Sequence, residues 1–215
     1  MLAVAFILLG AQVTWLELVA FVLTVGCVVC NLRELHWGWP LSIASSLLYG
    51  WLFADSRLYG EAALQAFFAG ISAWGWRQWL RGGSGDAASG PGPLRISRIG
   101  PRGVALALGT WAAGALVLGL GLDHLTDSDV PWFDAVPTAG SVLGQWMLAR
   151  KHLENWGVWI AVNLLSVALF AWKALWLTAL LYLLLALLAM AGLAGWRRRL
   201  AALGQGTTAS TAERA

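Results

Sequence analysis

The chain has 215 residues, of which 59% are hydrophobic and only 12% are charged, and its formal net charge is +3. A soluble domain usually carries about 25% charged residues, so the composition excludes a protein whose whole surface faces water and indicates an integral membrane protein. The basic residues fall in short clusters between apolar runs, a pattern that membrane topology explains better than nucleic-acid binding does.

Seven apolar segments are long enough, or nearly so, to cross a bilayer as helices. A span needs about 20 mostly apolar residues, and a helix satisfies its backbone polar groups internally. Before the first span, the apolar run 1–9 has no basic residue ahead of it, which argues against a cleaved signal peptide and predicts a lead-in or an extension of that span. The predicted spans are 12–31, 39–54, 60–80, 103–122, 132–149, 156–172 and 175–195.

The positions of the basic residues predict the orientation of these spans. All 14 Lys and Arg residues except Arg57 and Lys173 follow spans one, three, five and seven. This asymmetry places the N-terminus outside and the C-terminus in the cytoplasm. The Gly, Ser and Pro-rich stretch 82–93 is then a flexible cytoplasmic loop, and 204–215 is predicted to be a disordered cytoplasmic tail.

A shift of 117 residues, without a gap, aligns the first three spans with the last three. Two three-helix units of the same orientation need an odd number of spans between them, which the fourth span supplies. The sequence therefore predicts an all-α membrane protein in residues 1–203, with seven transmembrane helices in a 3+1+3 parallel internal repeat. Repeat one covers 12–81, the linking helix 103–122 and repeat two 132–198. The matched pairs are Trp15 and Trp132, Glu17 and Asp134, Trp39 and Trp156, Phe53 and Phe170, Leu58 and Leu175, Leu64 and Leu181, Gly75 and Gly192, and Trp79 and Trp196.

Polar groups inside a membrane are costly, so each is a candidate for binding a solute. Trp156, Trp159 and Asn163 are spaced i, i+3 and i+7, which places them on one helix face. Two indole rings and an amide suit a flat heterocycle, whereas an interfacial aromatic belt with packing is the alternative. Gln65 and Gln145 are further amides within spans, and Gln65 could instead form an interhelical hydrogen bond.

Other polar groups give weaker signals. Glu17 and Asp134 lie near the outer ends of equivalent helices, where a carboxylate complements a helix N-terminus. A proton site is the alternative, and it would make uptake depend on the pH gradient. The three His are far apart in loops, and Cys27 and Cys30 have no second ligand pair nearby. No catalytic, metal or cofactor site is therefore predicted.

Two segments carry a resemblance to a known family. The run 149–170, ARKHLENWGVWIAVNLLSVALF, has the pattern R-K-x-x-E-N-W-x-x-W-x-x-x-N. The run 58–79 has L-Y-x-x-x-x-L-Q-x-F-F followed by Trp74, Gly75 and Trp76. With a third block at 132–145, the sequence resembles the PnuC family of nicotinamide riboside transporters over nearly all of its membrane part.

The resemblance implies a transporter of the bacterial inner membrane, and not an enzyme. It implies facilitated diffusion of nicotinamide riboside, trapping of the solute by a cytoplasmic kinase, and a homotrimer surrounded by lipid. No nucleic-acid partner is expected. Ser45 and Trp74 differ from residues common in the family, which leaves thiamine or riboflavin as alternative solutes. A membrane-embedded enzyme is the least favoured alternative. The implied site residues are Trp156, Trp159, Asn163 and Gln65, with Asn155, Gln145 and Trp74 as further candidates.

Overall fold

The computed structural model describes residues 4–8, 11–55, 59–81, 94–125, 131–172 and 176–212. Its fold is a bundle of helices preceded by a short antiparallel hairpin. The strands are β1 (Val4–Leu8) and β2 (Ala11–Thr14). The helices are α1 (Trp15–Leu32), α2 (Gly38–Asp55), α3 (Tyr59–Arg81), α4 (Pro101–Leu125), α5 (Pro131–Ala149), α6 (Asn155–Trp172) and α7 (Trp176–Ala212).

The predicted fold class is confirmed, because each of the seven predicted spans corresponds to one helix. Pro101 and Pro131 open α4 and α5, where a missing N–H costs nothing. By length and hydropathy alone, three of the described helical stretches could cross a membrane, namely Pro101–His124, Asn155–Trp172 and Ala179–Ala202. α3 has a lower mean hydropathy than these helices because it carries a glutamate, two glutamines and two arginines.

Two segments at the ends of the chain differ from their predictions. Residues 12–14, assigned to the first span, belong to β2, where the β-branched Val13 and Thr14 suit a strand. The tail predicted to be disordered from 204 is helical as far as Ala212. The Gly and Thr residues of this tail disfavour a helix, but no Pro follows Pro137 to break it. The predicted loop 82–93 lies outside the described residues.

The helices pack as two three-helix units with one helix outside them. α2 contacts α1 and α3 in repeat one, as α6 contacts α5 and α7 in repeat two. Between the repeats, α1 packs on α7 and α3 packs on α5. The 117-residue shift exchanges these two contacts, so the repeats are related by a pseudo-two-fold axis. Among the described elements, α4 packs closely on α5 alone, and much of its apolar surface is exposed.

Each repeat contains the same buried pair of tryptophans. The rings of Trp39 and Trp79 meet edge to face, with centroids 5.5 Å apart. Their counterparts Trp156 and Trp196 repeat this arrangement at 5.4 Å. Edge-to-face packing places the positive ring edge against the negative face of its neighbour. These four rings form the centre of the core at the end of the bundle that carries the arginines.

A glycine allows each tryptophan pair to form. A Cβ added to Gly192 would lie 2.7 Å from the ring of Trp156. A Cβ added to Gly75, its counterpart in repeat one, would overlap the ring of Trp39 in the same way. The helix backbone therefore approaches the indole face more closely than any other residue would permit.

The ends of α1 and α5 have the same cap, with a left-handed residue at equivalent positions. Glu34 has φ of 59° and Lys151 has φ of 53°, a region that non-glycine residues rarely occupy. Both belong to the double hydrogen-bonded cap that ends many helices. The bonds run from Glu34 N to Asn31 O (3.1 Å), Leu35 N to Cys30 O (2.8 Å), Lys151 N to Leu148 O (2.9 Å) and His152 N to Met147 O (3.0 Å).

These two caps bring opposite charges together across the pseudo-two-fold axis. Lys151 Nζ lies 2.8 Å from Glu34 Oε2, and Arg199 Nη1 lies 2.7 Å from Glu34 Oε1. Burial alone would raise the pKa of Glu34, but the hydrogen bonds and charges of Lys151 and Arg199 hold it below its usual range. The ion pair thus joins the two repeats at their arginine-rich end.

The segment before α4 covers this end of the bundle. Ser97 N donates to Lys151 O at 3.1 Å, and Leu153 N donates to Ser97 O at 2.9 Å. Ile96 and Leu153 are both buried against the tryptophan core. The segment 94–100 is therefore part of the packed, arginine-rich end of the bundle.

Candidate functional site

A cavity of about 170 Å³ lies among α1, α2, α5, α6 and α7. Both repeats contribute to its wall, as expected of a transporter built from two repeats. The described lining contains no formally charged side chain. Its polar members are Thr24, Cys27, Asn31, Ser42, Ser45, Ser46, Gln145 and Asn163, together with the indoles of Trp156 and Trp159.

The predicted face of α6 forms one side of this cavity. Trp156, Trp159 and Asn163 all line it, as their helical spacing requires. Trp156 is only 2% exposed, so a role in an exposed interfacial belt does not describe it. The same ring that borders the cavity also packs against Trp196 and Gly192. Asn163 is buried as well, at 5% exposure.

Gln145 on α5 is held in the cavity wall by a short chain of hydrogen bonds. Its Nε2 donates to Ser72 Oγ at 3.0 Å, and Ser72 Oγ lies 3.0 Å from Ser42 Oγ. Ser72 is fully buried on α3, whereas Ser42 on α2 borders the cavity. The chain links three helices and fixes one end of the Gln145 amide, because a buried polar group needs a partner.

Two further hydrogen bonds order the wall made by α1 and α2. Thr24 Oγ1 lies 3.2 Å from Ser45 Oγ. Asn31 Nδ2 lies 3.4 Å from Cys27 Sγ, which is the acceptor of a weak bond. Asn31 Oδ1 is buried and has no hydrogen-bond partner among the described residues. It lies against Gly38, where an added Cβ would overlap it.

The sequence analysis did not predict most of the wall made by α1 and α2. The feature of the sequence that could have indicated this wall is the helical spacing of small polar residues. Two of them are spaced i and i+4 on α1, and three are spaced i, i+3 and i+4 on α2. Single serines and cysteines in apolar helices are common, so the spacing is recognisable only across the whole group. The residues are Cys27, Asn31, Ser42, Ser45 and Ser46.

Three of the predicted site residues lie outside the cavity wall. Gln65 is half-buried on α3 and does not border the cavity. Asn155 is fully buried at the start of α6, where its Nδ2 donates to His152 O at 2.6 Å. Trp74 borders a separate surface groove. The structure therefore unites four of the seven candidates, namely Trp156, Trp159, Asn163 and Gln145.

The structure describes the side chain of only one member of the predicted acidic pair, Asp134. The side chain of Glu17, half of the predicted acidic pair, lies outside the described part of the chain. Within that part, no group of three His, Cys, Asp or Glu side chains is placed to hold a metal ion.

Comparison with known proteins gives consistent matches over nearly the whole chain. The model of a family described as "Nicotinamide mononucleotide transporter" matches residues 14–198. The chain is 28% identical over 193 residues to the riboflavin/roseoflavin transporter RibM of Streptomyces davaonensis, covering 89% of each protein. It is 25% identical over 207 residues to the nicotinamide riboside transporter PnuC of Escherichia coli, covering 87% of each.

A solved structure shows the same architecture. The crystal structure of the vitamin B3 transporter PnuC superposes with a TM-score of 0.66 at 25% sequence identity, over 86% of this chain and 81% of that one.

Proposed function

The chain belongs to the nicotinamide mononucleotide transporter family, and on that premise we propose that it takes up nicotinamide riboside through the cavity between its repeats. Membership makes the protein a multi-pass transporter of a vitamin-like solute in the bacterial inner membrane. It also rules out the alternative of a membrane-embedded enzyme.

The observation that carries the proposal is that two indoles and three amides border one neutral cavity. The pyridinium of nicotinamide riboside is flat and positively charged, so the faces of Trp156 and Trp159 stabilise it by stacking and by cation–π attraction. The amides of Asn163 and Gln145 suit its carboxamide and ribose hydroxyls, because an amide both donates and accepts.

Riboflavin is the second candidate, favoured by the similarity to RibM. A three-ring flavin also stacks on tryptophan and also bonds to amides. Thiamine, which is cationic like nicotinamide riboside, is a third solute that the same wall suits.

Facilitated diffusion followed by kinase trapping belongs to the same proposal. A neutral wall needs no coupled ion to balance its charge. It also offers nothing to stabilise a phosphate dianion, because burying an unpaired charge is costly. A solute phosphorylated in the cytoplasm would therefore not return through this cavity.

The orientation and assembly of the protein are also proposed. The N-terminus lies outside and the C-terminus in the cytoplasm, on the strength of the asymmetry in basic residues. A homotrimer has support in the exposed apolar face of α4, which is available to neighbouring protomers or lipid. Its residues include Leu106, Leu108, Leu116 and Val117.

Calorimetric titration of the detergent-purified protein tests the solute. Nicotinamide riboside, thiamine and riboflavin are titrated in separate runs, after circular dichroism has shown that the protein is helical. Saturable binding of nicotinamide riboside alone is expected. Binding of riboflavin or thiamine alone would overturn the solute but keep the vitamin class. An absence of binding by all three would contradict the cavity assignment.

A further inference from the structure

A second concavity, a surface groove of about 240 Å³, lies at the arginine-bearing end of α3. It is lined by Trp74, Arg77, Gln78 and Arg81, and both arginines are exposed. Within the described residues neither arginine forms an ion pair. The guanidinium of Arg150 on the neighbouring chain segment lies 6.0 Å from the centre of the Trp74 ring. The groove is therefore bordered by three positive charges.

The surface beside these charges is apolar. Trp146 is 41% exposed, and its ring centre lies 5.2 Å from the guanidinium of Arg150. Leu80, between the groove residues in sequence, is 59% exposed. Arginines next to exposed aromatic and aliphatic groups match a ligand that has an anionic head and an apolar body.

The groove breaks the symmetry of the repeat. The 117-residue shift replaces its four lining residues by Ala191, Ala194, Gly195 and Arg198, so that the last arginine alone is retained. The tryptophan and glycine packing described above is kept in both repeats. The groove residues are therefore not needed to build a three-helix unit, and their presence in one repeat calls for a separate reason.

We propose that this groove binds the phosphate of an anionic phospholipid, with Arg77 and Arg81 contacting its oxygens and Trp74 and Trp146 contacting its glycerol and acyl region. Guanidinium forks match phosphate oxygens through paired, charge-assisted hydrogen bonds. The position at the arginine-rich end of the bundle is where anionic headgroups attract basic side chains. This inference does not depend on which vitamin is carried.

Native mass spectrometry of the delipidated full-length protein tests the proposal. It is titrated separately with phosphatidylglycerol, with phosphatidylcholine and with glycerol phosphate, which is the headgroup without acyl chains. Wild type should retain phosphatidylglycerol in preference to phosphatidylcholine. Each basic side chain near an anionic membrane surface strengthens attachment about fivefold, so the double variant R77A/R81A should weaken phosphatidylglycerol binding by about 25-fold.

The matched control is Arg198→Ala, the exposed arginine at the position equivalent to Arg81 in repeat two, which should leave binding unchanged. If the double alanine variant does not fold, R77K/R81K keeps the charges without the forked geometry and should bind more weakly than wild type. Unchanged binding in the folded arginine variants would overturn the site. Equal retention of both lipids would do the same. Binding of glycerol phosphate as tight as that of the lipid would identify a soluble phosphate ligand instead.

Discussion

At the scale of single residues, Trp156 contributes both to the packing of the core and to the wall of the cavity. One part of its ring packs in the core and another borders the cavity. Its counterpart Trp39 is fully buried and only packs. Removal of Trp156 would therefore damage packing and binding together, so Asn163 is the cleaner probe of the site.

Asn163→Ala is expected to weaken nicotinamide riboside binding by about 1–3 kcal/mol, the cost of losing a buried hydrogen bond. Calorimetric titration measures the change. Leu164→Ala, the adjacent and 49% exposed residue, is the control and should bind as wild type does. Equal affinity of N163A and wild type would remove Asn163 from the proposed site.

The sequence predicted the α6 face because helical spacing is a local property of consecutive residues. It did not distinguish Gln65 or Asn155 from Gln145, because all three are amides in or beside apolar segments. Which of them borders a cavity depends on how distant helices pack. Asn155 instead donates from Nδ2 to the carbonyl of His152, three residues before it, a local bond within the turn that leads into α6.

At the scale of helices, the close approach of a backbone to an indole decides the geometry of each repeat. α7 reaches Trp156 on α6 at Gly192, and α3 reaches Trp39 on α2 at Gly75. The two glycines are aligned with each other by the 117-residue shift, so the sequence already showed that both repeats have a glycine at this position. Its physical meaning became clear only from the position of the rings.

Gly192→Ala is expected to lower the free energy of unfolding by about 1–3 kcal/mol, because the new Cβ would lie 2.7 Å from the Trp156 ring. Thermal unfolding in detergent, followed by circular dichroism, measures the effect. Gly195→Ala on the same helix meets nothing within 4 Å and should be neutral or slightly stabilising. If both variants melt alike, the close contact does not limit stability.

At the scale of the whole molecule, the repeats are joined by an ion pair and a covering segment that the sequence did not reveal. Hydrophobic length and the 117-residue shift are linear features, so they predicted the seven helices and their 3+1+3 order. The contacts of Glu34 with Lys151 and Arg199 join residues far apart in the chain. The composition of a loop does not indicate which distant charged residue its own charged residues contact.

The Glu34 pair predicts a pH dependence of stability. The pKa of Glu34 in the folded protein is lowered, so the pair stabilises the fold above the unfolded-state pKa, and this contribution disappears as pH falls through the folded-state pKa. Melting temperatures of wild type and Glu34→Gln should therefore differ near neutral pH and converge in acid. A constant difference from about pH 7 down to pH 3 would show that the carboxylate charge is not responsible.

The same ion pair has a consequence for the ancestry of the fold. Two identical three-helix chains meeting about a true two-fold axis would place Glu against Glu or Lys against Lys at this position, which like-charge repulsion disfavours. Glu34 can pair with Lys151 only because the two repeats have different sequences at this position. A chain built by duplicating either repeat would thus lose its central bond, and complementary half-proteins would have to be supplied as an unlike pair.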